Sequence, residues 1–124
     1  MKAGFVSVFL SLFIGVLQGQ ADLNTALGKG DITAISGHLA DKVELVIGNT
    51  DDVLLKAEVV NRLKEFYAAH QAKGFRAMHT GTSKTQESNY AIGELATDKG
   101  NYRVYIYFTQ EDQRRQVTEL RIEQ

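Results

Sequence analysis

From Phe75 to the C-terminus, apolar and polar residues alternate one by one, the period of strands that are buried on one side only. In NYRVYIYFT, Tyr102, Val104, Ile106 and Phe108 fall on one side, and Arg103, Tyr105, Tyr107 and Thr109 on the other. In QVTELRIEQ, Leu120 and Ile122 oppose Glu119, Arg121 and Glu123. The pattern predicts four strands, at 75–84, 89–97, 101–109 and 116–123, joined by the turn-forming segments TQES, DKG and QEDQRR. Consecutive strands with short turns make an antiparallel meander. In DKG, Gly100 is expected to take a left-handed conformation in a three-residue hairpin.

Earlier in the chain the pattern differs. Leu55, Val59, Leu63, Phe66, Tyr67 and His70 recur at spacings of three and four, which predicts a helix opened by Asp51 or Asp52 and running to about His70. KVELVIGN, just before it, alternates as a strand that ends at Gly48. Residues 22–39 predict two short helices: Gly28-Lys29-Gly30 divides Leu23, Ala26 and Leu27 from Ile32, Ile35 and Leu39, and Asp31 caps the second. The order is two short helices, a strand, a long helix and four strands. The class is α+β, with the oily face of the sheet laid on the long helix.

The first 21 residues stand apart. Lys2 precedes an uncharged, largely apolar run from Ala3 to Leu17, and Gly19 and Ala21 sit three and one residues before a cut ahead of Asp22. The run is short of the roughly 20 residues of a stable membrane span. It has the form of a secretory signal peptide, leaving one domain at 22–124, exported to the periplasm or beyond, with no stable span after cleavage. An uncleaved anchor or a buried N-terminal helix is the alternative for this segment. The chain contains no cysteine, which excludes disulfides, thiol nucleophiles and thiolate metal sites. Its formal net charge of -1 becomes -2 without Lys2, and no basic cluster is evident, so nucleic acid is not an expected partner.

FRAMHTGTSK, residues 75–84, is the richest stretch in chemistry. It carries one glycine, its lysine follows Ser83, and a strand rather than a helix comes next. A phosphate loop needs the opposite on each count. Simple alternation places His79 on the side of Phe75, Ala77 and Gly81. If that side faced the interior, His79 could exchange protons with Glu94 or Glu119. The other reading is a half-buried histidine bonded to its neighbours. An isomerase-like pair would need a carboxylate and a donor converging in an apolar pocket. Glu94 or Glu44 could supply the first and Tyr67, Tyr90 or Tyr102 the second, but no spacing selects among them. His38 and His70 suit helix C-termini, where the helix dipole favours a cationic imidazole. The three histidines share no metal-binding spacing, and neither metal nor cofactor is expected. The polar sheet face, with Arg103, Tyr105, Tyr107, Glu119 and Arg121, is a candidate interface. It is equally a cross-strand ladder of good strand residues.

ISGHLADKVEL, LKEFYAAH, FRAMHTGTSK, YAIGEL, GNYRVYIY and TELRIE together resemble the domain-of-unknown-function 4783 family of small exported Bacteroidota proteins. The order of elements resembles the wider nuclear transport factor 2-like superfamily, which is cystatin-like in shape. There a curved antiparallel sheet wraps a long helix as a cone with a pocket at its open end. LLKAE lacks the serine expected to cap the long helix. The resemblance implies fold and export, and no activity. Two functional expectations follow. The first is a non-catalytic domain that binds a small apolar ligand in the cone, or a partner or second copy through the sheet face. The second is an isomerase- or dehydratase-like enzyme built on His79 and a pocket carboxylate.

Overall fold

In the computed structural model, residues 22–82, 88–111 and 114–124 are described; the expected leader and most of the TQES connection lie outside them. The elements are α1 (22–29), α2 (Ile32–Ser36), β1 (Leu39–Ile47), β2 (Thr50–Leu55), α3 (Lys56–Ala69), β3 (Ala72–Thr82), β4 (Ser88–Thr97), β5 (Gly100–Glu111) and β6 (Arg114–Glu123). The strands form a six-stranded sheet in the order β2-β1-β6-β5-β4-β3. The meander β3 to β6 is antiparallel throughout, whereas β1 lies parallel to β6.

Two short N-terminal helices form as expected, but the second ends at Ser36, and Leu39, expected on it, opens β1 ahead of the expected start at Lys42. Asp31 accepts from the Ala34 amide at 3.2 Å, satisfying an orphan donor of α2. Gly30 has φ +69°, and Tyr67 lies too close to leave room for a Cβ there. The long helix differs from expectation. It starts at Lys56, and TDDVLL before it is a strand. Ile47 pairs with Thr50 across a two-residue turn, Gly48-Asn49, and Gly48 takes φ +55°. Neither expected aspartate caps the helix: Leu55 occupies the N-cap with no side-chain bond. In the 98–100 turn Thr97 pairs directly with Gly100, so the loop is two residues, although Gly100 does take a positive φ of +116°.

One side of the sheet is buried across β1, β6, β5 and β4. Val43, Leu45, Leu95, Val104, Ile106, Leu120 and Ile122 meet Leu23, Leu27, Ile35, Val59, Leu63 and Phe66 from the helices in one core. Each such side chain contributes about 1.5–3 kcal/mol of transfer free energy. A strap crosses the top of this core, where the Tyr67 hydroxyl of α3 donates to the Leu27 carbonyl of α1 at 2.8 Å. Thr97, the buried polar residue, is satisfied by donating to the Gly100 carbonyl at 2.7 Å and accepting from the Lys99 amide. On the other side of the sheet none of the described helices is packed, and that side carries the site.

Candidate functional site: the uncovered sheet face

Strand register arranges the uncovered side chains in rows that run across the strands. The first row is Arg76, Glu94, Arg103 and Glu123, from β3 to β6, with charges that alternate in sign. The second is His79, Ile92, Tyr105 and Arg121, continued by Val46 and Asp51 on β1 and β2. The third is Gly81, Tyr90, Tyr107 and Glu119, continued by Glu44 and Val53. All five residues expected for this face (Arg103, Tyr105, Tyr107, Glu119 and Arg121) therefore lie together on it.

His79 reaches this face through a bulge. Ala77 pairs with Gly93 and His79 with Ile92, so Met78 is an extra residue in β3. The insertion reverses the alternation. Phe75 and Ala77 stay on the helix side, while His79 and Gly81 turn to the open side. Simple alternation had placed all four together. The His79 Nε2 lies 3.0 Å from the Tyr90 hydroxyl, and the Tyr90 ring covers Gly81, where a Cβ would collide with it. Tyr90 in turn lies beside Tyr107, ring centroids 6.4 Å apart.

The carboxylates proposed as partners of His79 are taken up elsewhere. Glu94 accepts from Arg76 at 3.4 Å, and Glu119 from Arg121 Nε at 2.6 Å; Arg121 also reaches Glu123 at 3.8 Å. The Glu119 carboxylate raises the already high pKa of Arg121. On its other side Glu119 faces Glu44 on the parallel strand β1. A hydrogen bond to Glu119 and repulsion by its charge raise the Glu44 pKa above the ordinary carboxylate value, and Arg121 partly offsets this.

Two shallow depressions flank Tyr105. One, of ≈290 Å³, is lined by Glu94, Asn101, Tyr102, Arg103, Tyr105, Glu123 and Gln124. The other, of ≈410 Å³, is lined by Tyr105, Tyr107, Glu119, Arg121 and Glu123. Among the described residues no group of three or more metal-binding side chains is gathered.

The remaining candidate donors are dispersed. Tyr67 is committed to Leu27, and its burial raises the phenol pKa. Tyr102 stands edge-on to Phe66 and His70, at centroid distances of 5.2 and 5.3 Å. His70 stacks on Phe66 at 4.3 Å and bonds the Phe66 carbonyl through Nδ1 at 2.9 Å, closing the end of α3. Beside this cluster a hollow of ≈220 Å³ is lined by Ile47, Thr50, Arg62, Glu65, Phe66, Ala69 and His70. His38 departs from its expected character, because burial lowers its pKa despite the nearby Asp22 charge. Residues that sequence reasoning missed are Arg76, Gly81 and the Tyr90–His79 link. The opposite signs at 76 and 94 on neighbouring strands were a legible signal for the first.

A single bent sheet with α3 and two short helices on one side is the architecture of the nuclear transport factor 2-like fold. A nuclear transport factor 2-like protein from Cytophaga hutchinsonii, 10% identical, superposes with a TM-score of 0.62 over 87% of this chain and 93% of its own. Residues 20–123 match the family described as domain of unknown function (DUF4783), and the chain belongs to that family. A member from Bacteroides ovatus is 29% identical, with a TM-score of 0.77 over 82% of this chain and 91% of its own. Another, from Bacteroides uniformis, is 27% identical at the same TM-score, covering 84% and 94%. No protein of curated function matches the chain. No helix among the described residues is long and apolar enough to cross a membrane.

Proposed function

We propose that this is an exported, non-catalytic binding domain, delivered by a leader at residues 1–21, whose working surface is the uncovered sheet face. One observation carries the reading. The face that no described helix covers holds Tyr90, Tyr105, Tyr107, Arg103 and Arg121 in register on adjacent strands. Tyrosine and arginine are the residues that dominate the energetics of protein interfaces, because each brings large contact area and a polar tip. Among the described residues the candidate acid and base of the enzyme reading do not converge: His79 is bonded to a phenol, and Glu94 and Glu119 are bonded to arginines.

A second reading is favoured by the hollow beside Phe66 and His70, whose aromatic lining suits a small apolar ligand.

The test is photocrosslinking in cells that make the full chain. A photoreactive phenylalanine analogue is installed in place of Tyr107, or in place of the exposed Lys64 on α3. A discrete adduct from position 107 and none from position 64 is the expected result. Adducts from 64 alone, or from neither, overturn the assignment of the face.

A further inference from the structure

We infer that the uncovered face binds a neutral oligosaccharide, with sugar rings seated in the two depressions beside Tyr105 and stacked on the tyrosine rings of the face. This inference rests on the binding role just proposed and names the ligand class for it. Its basis begins with how Tyr90 is held. Tyr90 pairs with Gly81 on the neighbouring strand, and its ring lies across that glycine, where a Cβ would collide with it. The His79 Nε2 meets the Tyr90 hydroxyl at 3.0 Å, which fixes the ring against the sheet. Tyr107, itself exposed, stands beside it, with ring centroids 6.4 Å apart and planes inclined by 38°. Aromatic faces carry partial negative charge. The C–H groups on the flat side of a pyranose ring are weakly positive, and they pack on such a face without giving up a hydroxyl hydrogen bond.

The depressions supply the polar half of the recognition. They share Tyr105 and Glu123 as a common wall, so one extended chain can pass from the first into the second. Their volumes, ≈290 and ≈410 Å³, lie at the lower end of small-molecule sites, which span about 300–1,000 Å³. Glu94 and Arg103 line the first, and Glu119 and Arg121 the second. Carboxylates only accept hydrogen bonds and guanidinium groups only donate them. A sugar hydroxyl does both, and two neighbouring hydroxyls match either the paired oxygens of a carboxylate or the fork of a guanidinium. A charged ligand fits worse, because each depression presents both signs. An anion meets glutamates there, and a cation meets arginines.

A protein is the competing occupant. The cores of protein interfaces are depleted in glutamate, whereas Glu94, Glu119 and Glu123 all lie in the depressions that flank Tyr105. Apolar protein surface laid on these carboxylates would strip their water and return no hydrogen bond. Hydroxyls replace the water they displace. Arg103 forms no ion pair among the described residues, so its donors are available to a ligand. A shallow, open face of this kind binds weakly, in the micromolar to millimolar range.

The experiment is an array of neutral oligosaccharides, probed with the full chain purified as the cell leaves it. The array holds glucans, galactans, mannans, xylans and chitin fragments in both anomeric linkages, alongside uronic-acid and sulfated chains. Binding to at least one neutral series, with weaker binding to the acidic chains, is the expected result. Binding to no neutral series, or a preference for acidic ones, would overturn the inference. Calorimetry with the best neutral binder then locates the site. Tyr105→Ala and Tyr107→Ala should each weaken binding about tenfold or more, while Tyr105→Phe, which keeps the ring, should stay within about twofold of wild type. An affinity unchanged in both alanine variants refutes the placement.

Circular dichroism checks that the variants fold. If they do not, amide shift mapping on wild type decides: the sugar must perturb β4, β5 and β6 around Tyr105. Perturbation confined to the hollow beside Phe66 and His70 overturns the inference. The crosslinker at position 107 separates this outcome from failure of the face itself. A discrete protein adduct without sugar binding refutes the oligosaccharide and leaves the face as a binding surface. No adduct and no sugar binding refute both.

Discussion

The ring of Phe75 on β3 lies over Gly93 on β4, in the space that a Cβ at position 93 would occupy. Gly81 and Tyr90 have the same relationship on the opposite side of the same two strands. The two glycines in FRAMHTGTSK and YAIGEL thus serve aromatic rings that cross the sheet, one on each face. The two positions differ in what yields when space is taken away. Gly93→Ala must displace a half-buried ring that packs against the core, which costs about 1–3 kcal/mol. Gly81→Ala displaces a ring that can swing toward solvent, and should cost less than about 0.5 kcal/mol. Thermal denaturation separates them: the first should lower Tm by about 4–8 °C per kcal/mol lost, the second barely. Equal shifts would contradict the packing described for Phe75.

Tyr67 ties α3 to α1 through a bond that depends on a neutral phenol. Burial raises its pKa above the ordinary value of about 10. The unfolded chain therefore ionises first as pH rises, and stability present below about pH 10 is lost above it. Tyr67→Phe should cost about 1 kcal/mol at neutral pH. It should also flatten the alkaline fall in stability, measured by urea unfolding between about pH 8 and pH 11. An unchanged alkaline limb would show that another group governs it.

His38 gives the opposite limb. Its carbonyl accepts the Val117 amide at 2.8 Å, which holds the residue at the junction of α2, β1 and β6. Burial lowers the imidazole pKa, and Asp22 only partly counters this. The unfolded chain takes up the proton first as pH falls below about 6.5, so stability present above that value is lost below it. His38→Gln should make stability less dependent on pH in the acid range. NMR titration of the imidazole should place its midpoint below that of a histidine in the unfolded chain. A midpoint above it would refute the sign.

The last three strands of the meander could be read from alternation because each has one wet and one dry face. The same rule placed all five sheet-face residues, Arg103, Tyr105, Tyr107, Glu119 and Arg121, on the open side. It failed at His79, where one extra residue, Met78, leaves the composition of the strand unchanged but reverses the facing of everything beyond it. It failed again at TDDVLL. Val53 and Leu55 are exposed on an edge strand, so no buried face imposes a period of two, and the leucines match the helical spacing that follows. The parallel pairing of β1 with β6 joins segments about seventy residues apart and leaves no local trace. The family resemblance and the class of fold were legible. The links between strands, on which the face depends, needed the three-dimensional register.

Glu44 and Glu119 face each other across parallel strands on the open side, and Arg121, the cation that bears on Glu44, is held by Glu119 and Glu123. Like charges placed directly opposite one another destabilise a sheet. The raised pKa of Glu44 is the consequence, since holding its proton lets the pair share a hydrogen bond. The folded chain therefore keeps that proton to a higher pH than the unfolded chain does. The stabilisation is present below the ordinary glutamate value of about 4.3 and is lost as pH rises through the folded value. Glu44→Gln replaces the proton with a permanent donor. The variant should melt above wild type at pH 7, and the difference should shrink toward pH 4 as Glu44 becomes protonated. Thermal scans at the two pH values decide the matter. A variant that melts below wild type at pH 7 would mean that the Glu44 charge is compensated by a group other than Arg121.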